Sequence, residues 1–445
     1  MKKTLCPHLS FVTPGEMDRA PSIRLFLTVL IALFAVTAQA SSASPIRVGT
    51  SGDYAPFSVL DPAGTNPHYR GLAPRLARAF ARDRGVEIQF VPFRWPDLMK
   101  DLEAGRFDVA MSGVTVRPER SLHGRFTLPI TTSGALVLIP EASPFVALED
   151  LDQNDFKIAV NAGGHLERVS RKHFNKARIL PLSENERVIE ALAQGDVDAA
   201  ITDTREASVW QGQYPGLRRI GPFTRDRKAF LVRADNPELA RDLDAWLIEI
   251  ERNGRLEALR VQELGEPLET SSPTEPLHAL LAAVDERLSL MPWVAEAKRA
   301  TGAPIEVPEV EVRVLAQAMD RYRTALAEDA TGVKRPEAAV LDFYRAQIDA
   351  AKSVQRKTLS RPAPETKKAP DLTSELRPAL ARINDRIATL LVALPEGLNP
   401  EDVREATQQE WISTVLPAPA RSDITRALMA LTSPKAEPES QPQSP

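Results

Sequence analysis

The segment Met111 to Arg120, MSGVTVRPER, places Ser112 and Thr115 a few residues ahead of Arg120. A guanidinium offers a planar fork of donors that fits a carboxylate, and two nearby hydroxyls add further donors, so this stretch suits an anion cradle. Tyr54, Phe57 and Trp95 offer flat apolar walls for a six-membered ring. Taken one at a time, each is explained equally well as a core residue. Much later in the chain, Arg287 and Lys298 stand eleven residues apart. That is about three helical turns, so a helix running through Pro292 would project both from one face. Read singly, they are surface cations, as most arginines and lysines are.

These residues need elements to hold them. From Ile46 to about Leu264 the pattern alternates between strand and helix. IRVGTS at Ile46 and VEIQFVPF at Val86 run at period two, while Leu72, Leu76 and Phe80 fall at helical spacing between them. DVAMSG at Asp108, KIAVNAG at Lys157, VDAAITD at Val197 and KAFLVRA at Lys228 are further strands, separated by helical runs such as NERVIEALAQG. The expectation is an α/β fold with parallel sheets and crossover helices, its ligand held beyond the carboxyl ends of strands. Around Pro267 to Pro276 the composition turns to Pro, Ser, Thr and Glu, and afterwards strand patterning stops. From Leu277 to about Ser433 apolar residues recur at three and four spacing, broken by a loop at Leu359 to Asp371. The reading is therefore multidomain: an α/β domain at 41–266, a linker at 267–276, an all-α domain at 277–433 and a disordered tail at 434–445.

Composition removes several functions. The 56 basic and 60 acidic residues give a formal charge of −4, with none of the cationic excess that nucleic-acid binding needs. There is no GxSxG elbow, no glycine-rich lysine loop and no HExxH, and the six histidines have no metal-like spacing. No metal or other cofactor is expected. Leu25 to Val36 is a short apolar run after Arg24 and before Ala38-Gln39-Ala40. That is the pattern of a cleaved signal peptide over 1–40, too short to span a bilayer. Its removal takes the single cysteine, Cys6, with it. The expectation is an exported, periplasmic protein with no disulfide, no membrane anchor and no nucleic-acid partner.

TSGDYAPFS at Thr50, RWPDLM at Arg94, FDVAMSGVTVRPER at Phe107 and ITDTREA at Ile201 together resemble the periplasmic solute-binding-protein family that holds amino acids, and within it the cyclohexadienyl dehydratases. The resemblance implies a two-lobed domain converting prephenate or arogenate to phenylpyruvate or phenylalanine. It puts Glu206 at the general-acid position and makes Asp203 a strand-end residue positioning substrate. Prephenate loses hydroxide with carbon dioxide, and hydroxide leaves well only when protonated. A buried, protonated carboxyl answers that need. Without the resemblance Glu206 is a solvated helix residue. Two departures stand out: NAGGHLE at Asn161 has His165 and Leu166 in place of a hydroxyl and an amide, and LPITTSGA has Ile130 and Ala135 where the family carries a lysine.

The helical half resembles the secreted class of all-helical chorismate mutases through VDERLSLMPWVAEAKR at Val284, APIEVPEVEVRVL at Ala303, FYRAQIDAAKSVQ at Phe343 and ELRPALARINDRI at Glu375. Chorismate rearranges without a protein nucleophile, so restraint and placed positive charge suffice. The resemblance implies that Arg287 and Arg377 clamp carboxylates, while Lys298 and Gln355 act on the ether oxygen. An arginine usual in the family is replaced by Val310, and an acid by Val307; Arg313 is the nearest substitute. A mutase making prephenate and a dehydratase consuming it are consecutive steps, so the two resemblances together point to a bifunctional enzyme of phenylalanine biosynthesis. A non-catalytic amino-acid or aromatic-acid binding protein with a degenerate helical half is the alternative. The expected partners are the small-molecule substrates, and the one protein partner in view is a second copy, pairing through the helical domain.

Overall fold

Strand β1 (Ile46–Thr50) buries its last three residues and pairs in parallel on both sides, as its apolar period requires. After it come a small antiparallel sheet of β2 (Asp53–Tyr54), β3 (Ser58–Asp61) and β4 (His68–Arg70), then α1 (Leu72–Arg84), β5 (Ile88–Pro92) and α2 (Leu98–Glu103). β6 (Val109–Thr115), α3 (Pro118–Ser121), β7 (Gly124–Phe126) and β8 (Thr131–Ser133) complete the outward run of the first lobe. The second lobe contains β9 (Ala135–Pro140), β10 (Lys157–Asn161), α4 (His165–His173), β11 (Arg178–Leu182), α5 (Asn185–Gln194), β12 (Ala199–Asp203), α6 (Thr204–Gln213) and β13 (Leu217–Ile220). The chain returns to the first lobe as β14 (Asp226–Arg233), α7 (Pro237–Arg252) and α8 (Arg255–Leu264). This computed structural model describes residues 44–61, 68–265, 272–329, 332–363, 369–411 and 416–432. The expected signal peptide, Cys6, the expected tail at 434–445 and the first half of the expected linker, 267–271, lie outside the described residues.

The first-lobe sheet has the order β5-β1-β6-β14-β7, with β8 beside β14; the second has β11-β10-β12-β9-β13. Neither sheet is wholly parallel, which corrects the sequence expectation. β14 runs antiparallel to β6, and β9 antiparallel to β12. Both are crossover strands that enter their sheet from the neighbouring lobe, at the end opposite to a strand arriving through a helix. The crossings are tied together: Ala135 N donates to Thr224 Oγ1 at 2.7 Å and Phe223 N to Ala135 O at 2.8 Å. Gly134 has room for nothing larger here, since a Cβ would fall 2.4 Å from Thr224 O.

The last part is helical: α9 (Pro276–Ser289), α10 (Met291–Thr301), α11 (Pro308–Glu328), α12 (Glu337–Leu359), α13 (Arg377–Ala393), α14 (Pro400–Glu410) and α15 (Ala418–Thr432). The expected single helix through Pro292 is in fact two, α9 and α10, because a proline in the first turn has no N–H to return to the preceding helix. The three-turn arithmetic for Arg287 and Lys298 therefore does not hold.

The apolar core of the first lobe is continuous with that of the helical domain. Leu128, Ile130, Phe230, Leu243 and Trp246 belong to the same buried cluster as Leu277, Leu280, Val284 and Leu391. The second lobe keeps two clusters of its own. Polar contacts follow the same division. Arg227 on β14 is buried between Asp285 and Glu410, each 3.0 Å away. Arg382 donates to the carbonyls of Ser121 and Leu122 at 3.0 and 2.7 Å, Ser121 Oγ donates to Glu286 at 2.8 Å, and Arg386 pairs with Glu286. At the expected linker, Thr274 is fully buried, its hydroxyl donating to Pro129 O at 2.6 Å and accepting from Arg260. The helical domain is thus anchored on the first lobe.

Candidate active site

A hollow of about 40 Å³ lies between the lobes, lined by Tyr54, Trp95, Gly113, Thr115, Arg120, Asn161, Gly164, His165, Leu166, Asn185 and Lys228. Room for a few waters is too little for a ring acid with two carboxylates, so the lobes stand closed. Gly113 is required at the wall: its φ is +69°, and a Cβ would lie 2.6 Å from the Phe57 ring.

Arg120 sits at the first turn after β6, where Pro118 starts the short α3. It is 2 % exposed, donates through Nη1 to Thr115 O at 2.9 Å, and leaves its buried Nε without a hydrogen-bond partner. Burial and then Arg117 pull its guanidinium well below the usual range. No carboxylate forms an ion pair with it among the described residues, so it is a desolvated cation facing the hollow. Tyr54 and Trp95 meet edge to face at 5.6 Å, forming the aromatic wall. Ser112 is elsewhere: its hydroxyl is taken by Ser51 N at 3.0 Å and Ser51 Oγ at 2.9 Å, and it does not line the hollow.

Asp203 ends β12 and caps α6, its Oδ1 accepting from Arg205 N at 2.9 Å and Glu206 N at 3.1 Å. The cap fixes Glu206 in the first helical turn. Glu206 is 1 % exposed; its Oε1 accepts from Asn185 Nδ2 and its Oε2 from Thr202 Oγ1, both at 2.6 Å. Burial, then the neighbouring Asp203 carboxylate, pushes the Glu206 carboxyl well above the usual range despite these bonds. It stands one side chain behind the wall, with Asn185 between it and the hollow. Asp203 is also set back, held by Lys228 Nζ at 3.1 Å and by the Tyr54 hydroxyl.

Sequence reasoning missed Lys228. It is 3 % exposed, donates to Tyr54 Oη at 2.7 Å and Thr115 Oγ1 at 3.0 Å, and lies 5.1 Å from the Tyr54 ring centroid. It gives the hollow an ammonium although Ile130 and Ala135 cannot. The signal was three successive charges, Asp226, Arg227 and Lys228, opening a strand that continues with the apolar run AFLV. Strand alternation turns Asp226 and Lys228 to the cleft and Arg227 to the helical domain. Asp226 meets His165 Nε2 at 2.8 Å, and burial holds that imidazole below its ordinary value, so His165 is a neutral wall rather than a cation. Asn161 Oδ1 at the same wall is buried without a partner.

In the helical domain, Arg287 is 8 % exposed, and burial lowers its guanidinium to about 10. It donates to Asn384 Oδ1 at 3.1 Å and lies 3.5 Å from Gln347 O, with no carboxylate ion pair among the described residues. Around it are buried groups with no hydrogen-bond partner: Tyr344 Oη, Gln347 Oε1 and, further along α12, Gln355 Oε1. Gln355 contacts Met291 Sδ at 3.8 Å. Lys298 is half-buried, donates to Ile305 O at 3.1 Å, and is held below the usual lysine range first by burial and then by Arg377. Arg377 is exposed at the start of α13. The structure thus brings Lys298 and Arg377 together and keeps Arg287 with Tyr344, Gln347 and Asn384. Val310 and Arg313 are both exposed, so Arg313 does not replace the missing interior cation.

Residues 46–266 match the bacterial extracellular solute-binding proteins, family 3, and residues 278–356 match chorismate mutase type II. Cyclohexadienyl dehydratase of Pseudomonas aeruginosa is 34% identical over 216 residues, 47% of this chain and 79% of that protein. The chain belongs to the family 3 solute-binding proteins. It carries a chorismate mutase type II domain behind the solute-binding one. The L-cystine-binding protein TcyJ of Escherichia coli is 25% identical over 222 residues, 49% of this chain and 82% of that protein. The crystal structure of an ancestral amino acid-binding protein, described as a precursor of cyclohexadienyl dehydratase, aligns at 30% identity and TM-score 0.47, over 52% of this chain and 99% of its own. No helix among the described residues is long and apolar enough to cross a membrane.

Proposed function

We propose that the chain is an exported bifunctional enzyme that turns chorismate into prephenate in its helical domain and prephenate into phenylpyruvate in its two-lobed domain. The observation that carries the second step is Glu206: a fully buried carboxyl, pushed toward its protonated form by desolvation, one hydrogen bond from a hollow that contains an unpaired arginine. Arg120 takes the carboxylate of the substrate side chain, and Tyr54 and Trp95 flank the ring. The ring carboxylate leaves as carbon dioxide, its bonding electrons make the ring aromatic, and the hydroxyl departs as water with the Glu206 proton. To reach that hydroxyl, the carboxyl exchanges its contact with Asn185 for one with substrate, a side-chain rotation made as the lobes part from this closed state to take the ring. Solvent reprotonates Glu206 once the product has left.

In the helical domain Arg287 supplies a desolvated cation, with Tyr344 and Gln347 as unpartnered polar groups beside it. Lys298 and Arg377 form the other cationic end. Such an arrangement holds a dianion in a folded conformation and stabilises charge developing on its ether oxygen.

The test is direct. The purified full chain, given chorismate, yields phenylpyruvate, and given prephenate yields it faster. Glu206→Gln keeps ligand affinity and lowers dehydration by about 10²–10⁴-fold, the usual contribution of a placed acid. Prephenate left untouched by the native chain refutes the dehydratase; chorismate left untouched refutes the mutase.

A further inference from the structure

The walls of the hollow carry two cations, Arg120 and Lys228, and no carboxylate. Four carboxylates stand near it, and each already accepts from or pairs with at least one protein group. Asp203 has its four acceptor positions filled: Arg205 N and Glu206 N on Oδ1, Tyr54 Oη and Lys228 Nζ on Oδ2. Glu206 is closed by Asn185 and Thr202. Asp226 faces His165 and accepts from Thr224 Oγ1 at 2.8 Å, and Asp53 Oδ1 accepts from Trp95 Nε1 at 3.1 Å.

We propose that this hollow selects a ring acid with a 2-oxo carboxylate side chain over the same acid with an α-ammonium, because Lys228 occupies the carboxylate that would otherwise receive the ammonium. The inference rests on the dehydratase reading of this hollow and narrows its substrate to prephenate rather than arogenate. A dianion entering the site meets two cations. An ammonium meets the same two cations, with only neutral acceptors such as Asn161 Oδ1 to offset its lost hydration, and a charge taken from water without an opposite charge is strongly disfavoured. The neutral His165 adds no negative charge. Lys228 is therefore a specificity-determining residue, and its position two residues along β14 from Asp226 keeps the ammonium against Asp203 and Tyr54.

Two measurements on the full chain test this. In steady-state assays, kcat/KM for prephenate exceeds that for arogenate by about 100-fold or more, and a ratio within about threefold overturns the proposal. In titration calorimetry, phenylpyruvate binds about 100-fold more tightly than L-phenylalanine. This pair differs only in oxo against ammonium and needs no turnover, so the proposal is still decided if neither dienyl acid is consumed and the dehydratase reading fails. Phenylalanine binding as well as phenylpyruvate overturns it. Lys228→Met frees Asp203 and brings both ratios toward one, whereas Lys228→Arg keeps them. Full discrimination in a folded Lys228→Met protein removes Lys228 from the role, and if that variant does not fold, the native ratios alone decide.

Discussion

Asp244 on α7 offers a quantitative check on how the first lobe meets the helical domain. Its carboxylate accepts from Leu128 N at 2.7 Å, and burial raises its pKa from 3.8 to about 7, against the attraction of Arg386. The native state therefore holds a proton here that the unfolded chain has lost. Between about pH 4 and pH 7 the native state binds more protons, so this group's contribution falls as pH rises and levels off above its native pKa. A displacement of about three pH units at about 1.4 kcal/mol each gives a penalty near 4 kcal/mol at pH 7, about 1.7 kcal/mol at pH 5, and little more than the neutral value at pH 8. Asp244→Asn removes the titration and keeps an acceptor for Leu128 N. The amide brings a constant offset of its own, so the diagnostic quantity is the pH dependence. The stability of the variant relative to the native chain grows by about 2.5 kcal/mol between pH 5 and pH 8. Urea unfolding followed by tryptophan fluorescence at both pH values measures it, with unchanged m-values as the control. Parallel stability curves for the two proteins would refute the reasoning.

The remaining predictions concern charge. Arg120→Lys keeps the charge and loses the fork, raising KM for prephenate by about 10–100-fold in initial-rate assays, in line with about 1.5–3 kcal/mol for a charged hydrogen bond. Dehydration needs the protonated Glu206, whose carboxyl is raised, so kcat/KM holds level at low pH and declines as pH rises through that elevated value; a pH–rate profile rising with pH instead contradicts the acid role. Arg287→Met abolishes chorismate consumption while leaving prephenate dehydration within about twofold, measured on one preparation. Arg227→Met removes the buried guanidinium between Asp285 and Glu410, the latter keeping His278 and Arg225, and lowers stability by about 3–5 kcal/mol in denaturant titrations.

Much of the architecture could be read from local pattern. Period-two runs at Ile46, Val86, Asp108, Lys157, Val197 and Lys228 became β1, β5, β6, β10, β12 and β14, because alternation along a strand is a local property. The short β7, β8 and β13 carry too few residues for any period to show. Direction was less legible: that β9 and β14 run antiparallel to their neighbours depends on the chain crossing between lobes. Arg120 could be picked out because its hydroxyl companion Thr115 is close in sequence, whereas Ser112, chosen on the same ground, is consumed by Ser51, 61 residues away. Lys228 escaped because its partners, Tyr54 and Thr115, precede it by 174 and 113 residues. Arg382 and Arg386 look like solvated helix cations until the first lobe supplies the carbonyls of Ser121, Leu122 and Phe126.

The shared core has a practical meaning for anyone who wishes to study one activity alone. Severing the chain at residue 266 leaves the sheet-bearing fragment with a raw greasy flank where the cluster holding Leu128, Ile130 and Phe230 had continued through Leu277, Leu280 and Val284, together with the stranded charge of Arg227. Such a fragment sticks to its own kind before it catalyses anything. The two halves are better dissected by single substitutions in an intact polypeptide than with scissors.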